Sequence, residues 1–217
     1  VLIPNDSLRA EYIYSFDESL SWDITPRVSI NSSVFLSLWT DLISPMDATL
    51  NNQSQLFIEG EYATIQRNEN SGNAIIKGAR FDLNAQISPH LDFHGVANFT
   101  QGTHLISHDP ISHIPPIFGR TSLEYYKKDW SIEGFVLFSG VKNIEDYGPG
   151  IADNTQEALL TGTPSWWTLN IESHFKIYKN IHAQAGITNL FDMHYKTFSS
   201  GISAPGRGAF ITLHATF

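Results

Sequence analysis

The chain has 217 residues, 13 of them Lys or Arg against 22 Asp or Glu, for a net charge of −9, and no cysteine. That excludes a disulfide-stapled domain, a thiolate metal centre and the basic face that a nucleic-acid partner needs. Charged residues are 16% and aromatics 12% of the chain, with Ser, Thr, Asn and Gln filling the gap, a mixture suited to a surface that meets neither plain water nor a dry core on both sides.

No run of 18 apolar residues exists, so no transmembrane helix is expected. Residues 1–7, with Pro4, Asn5 and Asp6, lack the basic start and apolar run of a signal peptide. The dominant period is two, the period of a strand whose side chains alternate between faces. In chain order the alternation predicts nine strands, at about 7–17, 27–43, 61–88, 90–102, 115–128, 130–140, 165–177, 180–190 and 207–217. In the fourth, Leu91, Phe93, Ala97 and Phe99 oppose Asp92, His94, Asn98 and Thr100. In the seventh, Trp167, Leu169, Ile171, Phe175 and Ile177 oppose Thr168, Asn170, Glu172, His174 and Lys176. The third has room for a bulge or break near Ser71-Gly72-Asn73, and a separate strand near 54–66 would raise the count to ten.

The connections alternate between short and long. Residues 18–26, Ser88-Pro89, Lys128-Asp129 and Lys179-Asn180 read as the short ones; 44–60, 103–114, 141–164 and 191–206 as the long ones. Short turns at one rim and long loops at the other are the pattern of an antiparallel up-and-down transmembrane β-barrel, and strands of about ten residues suit a tilted bilayer crossing. Trp39, Phe99, Phe118, Trp166 and Trp167 fall near long-loop ends. Phe16, Trp22, Tyr125, Tyr126, Trp130, Phe175 and Tyr178 fall near short turns, as two aromatic girdles would.

Catalytic motifs are missing: there is no Gly-x-Ser-x-Gly elbow, no Walker motif and no dinucleotide fingerprint. His104, His108 and His113 share one long loop and could hold a metal, although their spacing of four and five is no rigid ligand pattern. Asp146, Asp153 and Glu157 in the longest loop read as solvated carboxylates. Tyr147, Trp166, Trp167, Met193, His194, Tyr195 and Phe198 could shape a binding surface or simply pack the rim.

Near the end, Gly162-Thr163-Pro164-Ser165-Trp166 with Leu169-Asn170, then Gly186-Ile187-Thr188-Asn189-Leu190-Phe191-Asp192 with Tyr195, then Pro205-Gly206-Arg207 and a terminal Phe217, follow one another in a fixed order. Upstream stand Asp41-Leu42-Ile43, Asn73-Ala74 with Gly78, Ile114-Pro115-Pro116 and Gly119-Arg120. Together these resemble the C-terminal part of the barrel of TonB-dependent outer-membrane receptors, although Arg80 stands where that family often has Glu.

The resemblance implies the last nine or so strands of a 22-stranded barrel, with the plug domain and the TonB-contact motif upstream of residues 1–217. It implies an active-transport receptor in the Gram-negative outer membrane, its C-terminus periplasmic. The nutrient would be scarce: a siderophore, haem or cobalamin chelate, or an oligosaccharide. Its partners would be outer-membrane lipid, the plug, the TonB energy-coupling complex and the extracellular ligand, with no cofactor and no enzymatic role. The ligand-binding candidates are then His104, His108, His113, Tyr147, Trp166, His194 and Tyr195. Arg9, Glu11, Arg80, Asp82, Asp92, Glu124 and Glu172 would face the lumen and hold the plug. Two rival readings differ in class. An outer-membrane barrel enzyme needs an even number of strands closed end to end. A soluble β-sandwich binding module needs two packed sheets.

Overall fold

The computed structural model describes residues 1–149 and 152–216. Nine long strands form one antiparallel sheet: β1 (Tyr12–Thr25), β2 (Val28–Thr40), β3 (Ala74–Ser88), β4 (Leu91–His104), β5 (Phe118–Lys127), β6 (Trp130–Ser139), β7 (Trp166–Tyr178), β8 (Ile181–Thr188) and β9 (Gly208–Ala215). Each pairs only with its neighbours in sequence, so the sheet is a simple meander with β1 and β9 at its edges. Four two-residue turns join strands at one end: Pro26-Arg27, Pro89-His90, Lys128-Asp129 and Lys179-Asn180. The register slips at Asp23–Thr25, Gln86–Ser88 and Lys176–Tyr178, beside three of those turns, where bulges tighten the sheet's twist. Residues 41–73, 105–117, 140–165 and 189–207 form the long connections at the opposite rim.

Among the described residues the sheet has no second layer. Its buried apolar side chains are Leu42, Ile65, Ala74, Ile114, Phe135 and Tyr147, and all but Phe135 lie at the long-loop rim. Large apolar residues instead stand exposed along one face, among them Phe16, Leu20 and Trp22 on β1, Phe99 on β4 and Ile211 and Leu213 on β9. An apolar face this extensive is not tolerated against water. It removes the β-sandwich reading, which requires two sheets packed on a shared core. The barrel-enzyme reading required an even number of strands closed end to end; the described residues form nine strands in an open sheet.

Three boundaries differ from the sequence expectation. Residues 18–26 are not a connection: Leu20, Trp22 and Ile24 continue the alternation, and β1 starts at Tyr12 instead of residue 7. Residues 61–88 are three pieces, Glu61–Thr64, Gln66–Asn70 and β3, with the break at Ser71-Gly72-Asn73; Gly72 has φ 112°, a conformation that ends a strand. Residues 54–66 add no tenth barrel strand. Gln55–Ile58 and Glu61–Thr64 form a small hairpin in the long loop, while Gln66–Asn70 pairs with Leu2–Ile3 and Ile43–Asp47 in a second small sheet.

The girdle also needs revision. Register places Trp22, Tyr125, Trp130 and Phe175 on the apolar face near the turns, and Phe99 and Trp167 on that face towards the loops. Trp39, Phe118, Tyr126 and Trp166 share the polar face, and Phe16 sits midway along β1. Phe217 lies outside the described residues.

The candidate lumen face and loop mouth

Directly paired residues in an antiparallel sheet share a face. Asp92 on β4 faces Glu124 on β5, Glu124 faces Glu133 on β6, and Glu133 faces Glu172 on β7. Four carboxylates therefore stand side by side in one row across four strands. Arg120 reaches Glu133 at 2.8 Å while stacking its guanidinium 4.2 Å above the Phe135 ring. Glu172 accepts a bond from Gln184 at 3.3 Å. Oδ1 of Asp92 is enclosed without a partner among the described residues. Arg80, Asp82 and His94 share this polar face, with Asp82 between the other two at 3.2 and 3.4 Å. Hollows on the same face, near the turns, are lined by Asn84, Asp92, His94 and Glu124, and by His174, His182, Gln184 and His214.

Arg9 and Glu11 depart from the lumen expectation. Both precede β1 and tie the chain's start to the first long loop. Arg9 pairs with Asp41, Asn70 bridges the carbonyls of Arg9 and Asp41, and Glu11 Oε2 accepts from the Ile43 amide at 2.8 Å.

At the long-loop end the ligand candidates scatter. His104 ends β4, and its carbonyl accepts from the His108 amide at 3.1 Å. His108 and His113 are exposed and adopt φ of 62° and 63°. No three His, Asp or Glu side chains converge at metal-ligating range among the described residues. Tyr147 is buried at 6%, bonds Thr163 Oγ1 through its hydroxyl at 2.6 Å and meets the Phe198 ring edge-on. Its ring is packed into the rim. Trp166 and Tyr195 do come together, with stacked rings 4.2 Å apart, although the Trp166 indole N–H is enclosed and without a partner among the described residues. His194 Nε2 lies 3.1 Å from Ser203 Oγ on the surface. Between the second and third long loops is a cavity of about 580 Å³, lined by Gly102, His108, Ile111, Ile114, Val141 and Asp146 among others.

This nine-stranded meander has counterparts. The family model described as "TonB dependent receptor-like, beta-barrel" matches residues 1–190. The chain belongs to the TonB-dependent receptor β-barrel family. Among solved structures, the copper transporter OprC superposes with a TM-score of 0.79 at 17% identity, over 98% of this chain and 32% of that one. The siderophore receptor PirA from Acinetobacter baumannii gives 0.75 at 16% identity, over 100% of this chain and 33% of that one. The FrpB iron transporter (F3-3 variant) from Neisseria meningitidis gives 0.74 at 13%, over 100% and 33%. This chain thus spans about a third of the length of the solved structures it matches. No curated protein matches its sequence. The sheet corresponds to the C-terminal barrel part of TonB-dependent receptors, a family of the Gram-negative outer membrane whose matched structures are transporters and receptors, not enzymes.

The family's sequence motifs acquire a physical role here. Asn189, at 4% exposure, exchanges two bonds with Met193: its Oδ1 accepts from the Met193 amide and its Nδ2 donates to the Met193 carbonyl, each at 2.9 Å. Nδ2 also reaches the Pro205 carbonyl at 3.3 Å, and the Asn189 amide donates to Asn170 Oδ1. Asp192 Oδ1 accepts from the Arg207 amide at 2.7 Å, and a Cβ on Gly206 would lie 2.6 Å from that oxygen. The Asn-Leu-Phe-Asp and Pro-Gly-Arg segments are two halves of one knot that closes the last long loop.

Sequence reasoning missed Glu133, Lys142 and Asp153 as residues of consequence. Glu133 was legible: a two-residue turn at Lys128-Asp129 forces it opposite Glu124. Asp153 was expected to be solvated; it is 1% exposed. Lys142 is 8% exposed, its ammonium 5.2 Å from the Phe198 ring centre. Burial holds it below the usual lysine range, and the nearby Asp146 and Asp153 partly offset that. Nothing in the local pattern distinguished either residue from a solvated loop charge.

Proposed function

We propose that this chain is part of the barrel wall of an active-transport receptor that imports a scarce nutrient as a metal chelate across the outer membrane, driven by TonB. The carboxylate row carries the reading. Like charges placed directly opposite one another repel, and Asp92, Glu124, Glu133 and Glu172 share a single arginine partner among the described residues. Such a row is stable when cationic groups from another body lie against it. A plug domain inside the barrel is that body, with Arg80, Asp82, Asp92, Glu124 and Glu172 as its lumen contacts. The apolar opposite face then meets lipid, and the four long loops meet the ligand outside, with the stacked Trp166–Tyr195 pair at the mouth.

The test is uptake of a panel of radiolabelled ferric chelates by a deletion strain carrying the full-length protein, with and without TonB. Uptake of a panel member that needs both the protein and TonB is expected. Uptake that persists without TonB removes the TonB-driven reading, and no uptake of any panel member that depends on the protein removes the metal-chelate reading. A triple Asp92→Asn, Glu124→Gln, Glu172→Gln variant tests the plug contact: it should keep surface capture of the chelate while the plug becomes more accessible to protease.

A further inference from the structure

The apolar face of the sheet carries little charge. Of the charged side chains described on the nine strands, three share it: Glu18 in mid-β1, Lys127 beside a turn and Lys77 on β3. Lys127 sits at the turn rim, its ammonium 5.9 Å from the Tyr125 ring centre. Lys77 stands at the other end. Register puts it opposite Leu36 on β2 and Gln101 on β4, one row beyond Phe99 towards the long loops. At that height β4 turns polar, with Gln101 and then Thr103 in the positions of this face that follow Phe99. Lys77 is exposed, and no carboxylate among the described residues pairs with it. Glu18 is one row nearer the turns and two strands away. Beside Lys77 the face is hollowed: a depression of about 340 Å³ is lined by Phe16, Val34, Leu36, Lys77, Ala79 and Phe99. Its floor is low because Gly78 and Ala79 are small, and the Phe35 ring that packs against Gly78 lies on the opposite face.

We propose that this hollow is a site for one phosphorylated glycolipid of the outer leaflet, with an acyl chain lying along Ala79 between Phe16 and Phe99 and a headgroup phosphate on Lys77. The inference rests on the reading that the apolar face meets lipid and the long loops lie outside. A lysine on a lipid-facing strand is disfavoured at the bilayer centre and tolerated at headgroup depth, where its stem runs over apolar surface while the ammonium reaches the interface. Reaching water would require only that depth. Two further features select a lipid. A hollow beside the stem gives an acyl chain more contact than a flat wall does. At the loop-side edge of the hollow stands an unpaired cation with an amide side chain opposite, a set of donors complementary to a phosphate. The glycolipid of the Gram-negative outer leaflet presents its phosphates at that depth, above its acyl chains.

Photocrosslinking in the full-length protein tests this independently of what is transported. Phe81 is one row below Ala79 on the same face, so Phe81→benzoylphenylalanine carries a probe beside the hollow without filling it. In detergent micelles doped with sub-saturating lipid A, illumination should give a lipid A adduct at that position. Adding Lys77→Gln is expected to lower the adduct yield with bisphosphorylated lipid A about fivefold. Lys77→Arg should restore it, and neither change should alter the yield with dephosphorylated lipid A. Ala79→Trp, which fills the hollow, should lower both yields. Equal yields of bisphosphorylated lipid A with and without Lys77→Gln overturn the proposal, as does phosphatidylglycerol competing as well as lipid A itself. A full-length protein that stays monodisperse without detergent would instead remove the lipid-facing reading on which the site rests.

Discussion

Replacing Asn189 tests whether the family motif acts through its side chain or its backbone. The side chain makes three bonds in a nearly dry setting, two to Met193 and one to the Pro205 carbonyl. At about 1 kcal/mol net for each, their loss costs about 3 kcal/mol. The residue also has φ 49°, where alanine is worse placed than asparagine, a further cost of about 1 kcal/mol. Asn189→Ala should therefore loosen residues 191–206 by about 4 kcal/mol. Asn189→Gly, freed of the φ cost, should loosen them by about 3 kcal/mol. Asn189→Asp keeps the acceptor for the Met193 amide and turns a carboxylate on two carbonyls, so it should be no better than alanine. The assay is hydrogen exchange of the Met193 and Ala204 amides in the folded full-length protein, read as opening free energies. The Leu190 amide, which donates to the Leu169 carbonyl in the backbone, is the internal reference. Wild-type protection in both the alanine and glycine variants would refute the reasoning. The loop would then be held by the Asp192–Arg207 bond and the Trp167–Phe191 contact instead.

Other expectations follow from single positions. Gly119→Ala would drive a Cβ into the Val96 carbonyl and the Phe138 ring; it should abolish the heat-sensitive folded band on gels, whereas Gly134→Ala, with open space around it, should assemble normally. Burial lowers the affinity of Lys142 for its proton, so the unfolded loop binds that proton more tightly than the folded one, and the contribution of Lys142 to loop stability is least at neutral pH and grows as pH rises through the folded value towards 10.5; subtilisin cleavage of the loops, slower in Lys142→Met than in the wild type at pH 8, should differ less between the two proteins at pH 10. A His104→Ala, His108→Ala, His113→Ala triple variant should leave copper and zinc affinity, measured by calorimetry, unchanged, because the three side chains do not converge.

The wall of this protein was legible in the sequence because membrane and lumen impose opposite chemistry on alternate positions. The phase of the alternation assigns each residue a face, and the two-residue turns fix the register. Reading failed where that rule was diluted. Residues 18–26 place Glu18 on the apolar phase beside the polar-phase Asp23, so the second half of β1 looked like a polar connection. In β6 Phe135 and Leu137 sit on the polar face, which hid Glu133. Arg9 and Glu11 continue the polar phase in sequence, yet they precede the strand and bond the rim. Phase alone does not say where a strand begins, because a capping bond such as that from the Ile43 amide to Glu11 joins residues 32 apart.

The mouth was illegible for a different reason. Its motifs, Asn-Leu-Phe-Asp and Pro-Gly-Arg, are recognisable because closing a loop by one defined knot admits few residues: a donor–acceptor amide at a left-handed position, a carboxylate, and a glycine with no room for Cβ. Those constraints are geometric and independent of what the loop encloses. The residues that join the loops to one another, Asp153 to two backbone amides and Phe198 to Lys142, are constrained only by their partners' positions, which the chain reaches through tens of intervening residues. A carboxylate chosen to meet backbone donors and one left in water have the same local sequence. The motifs that place this chain in its family therefore describe how the loops are hung from the barrel, and what distinguishes one receptor's ligand from another's must be carried by loop residues of the second kind.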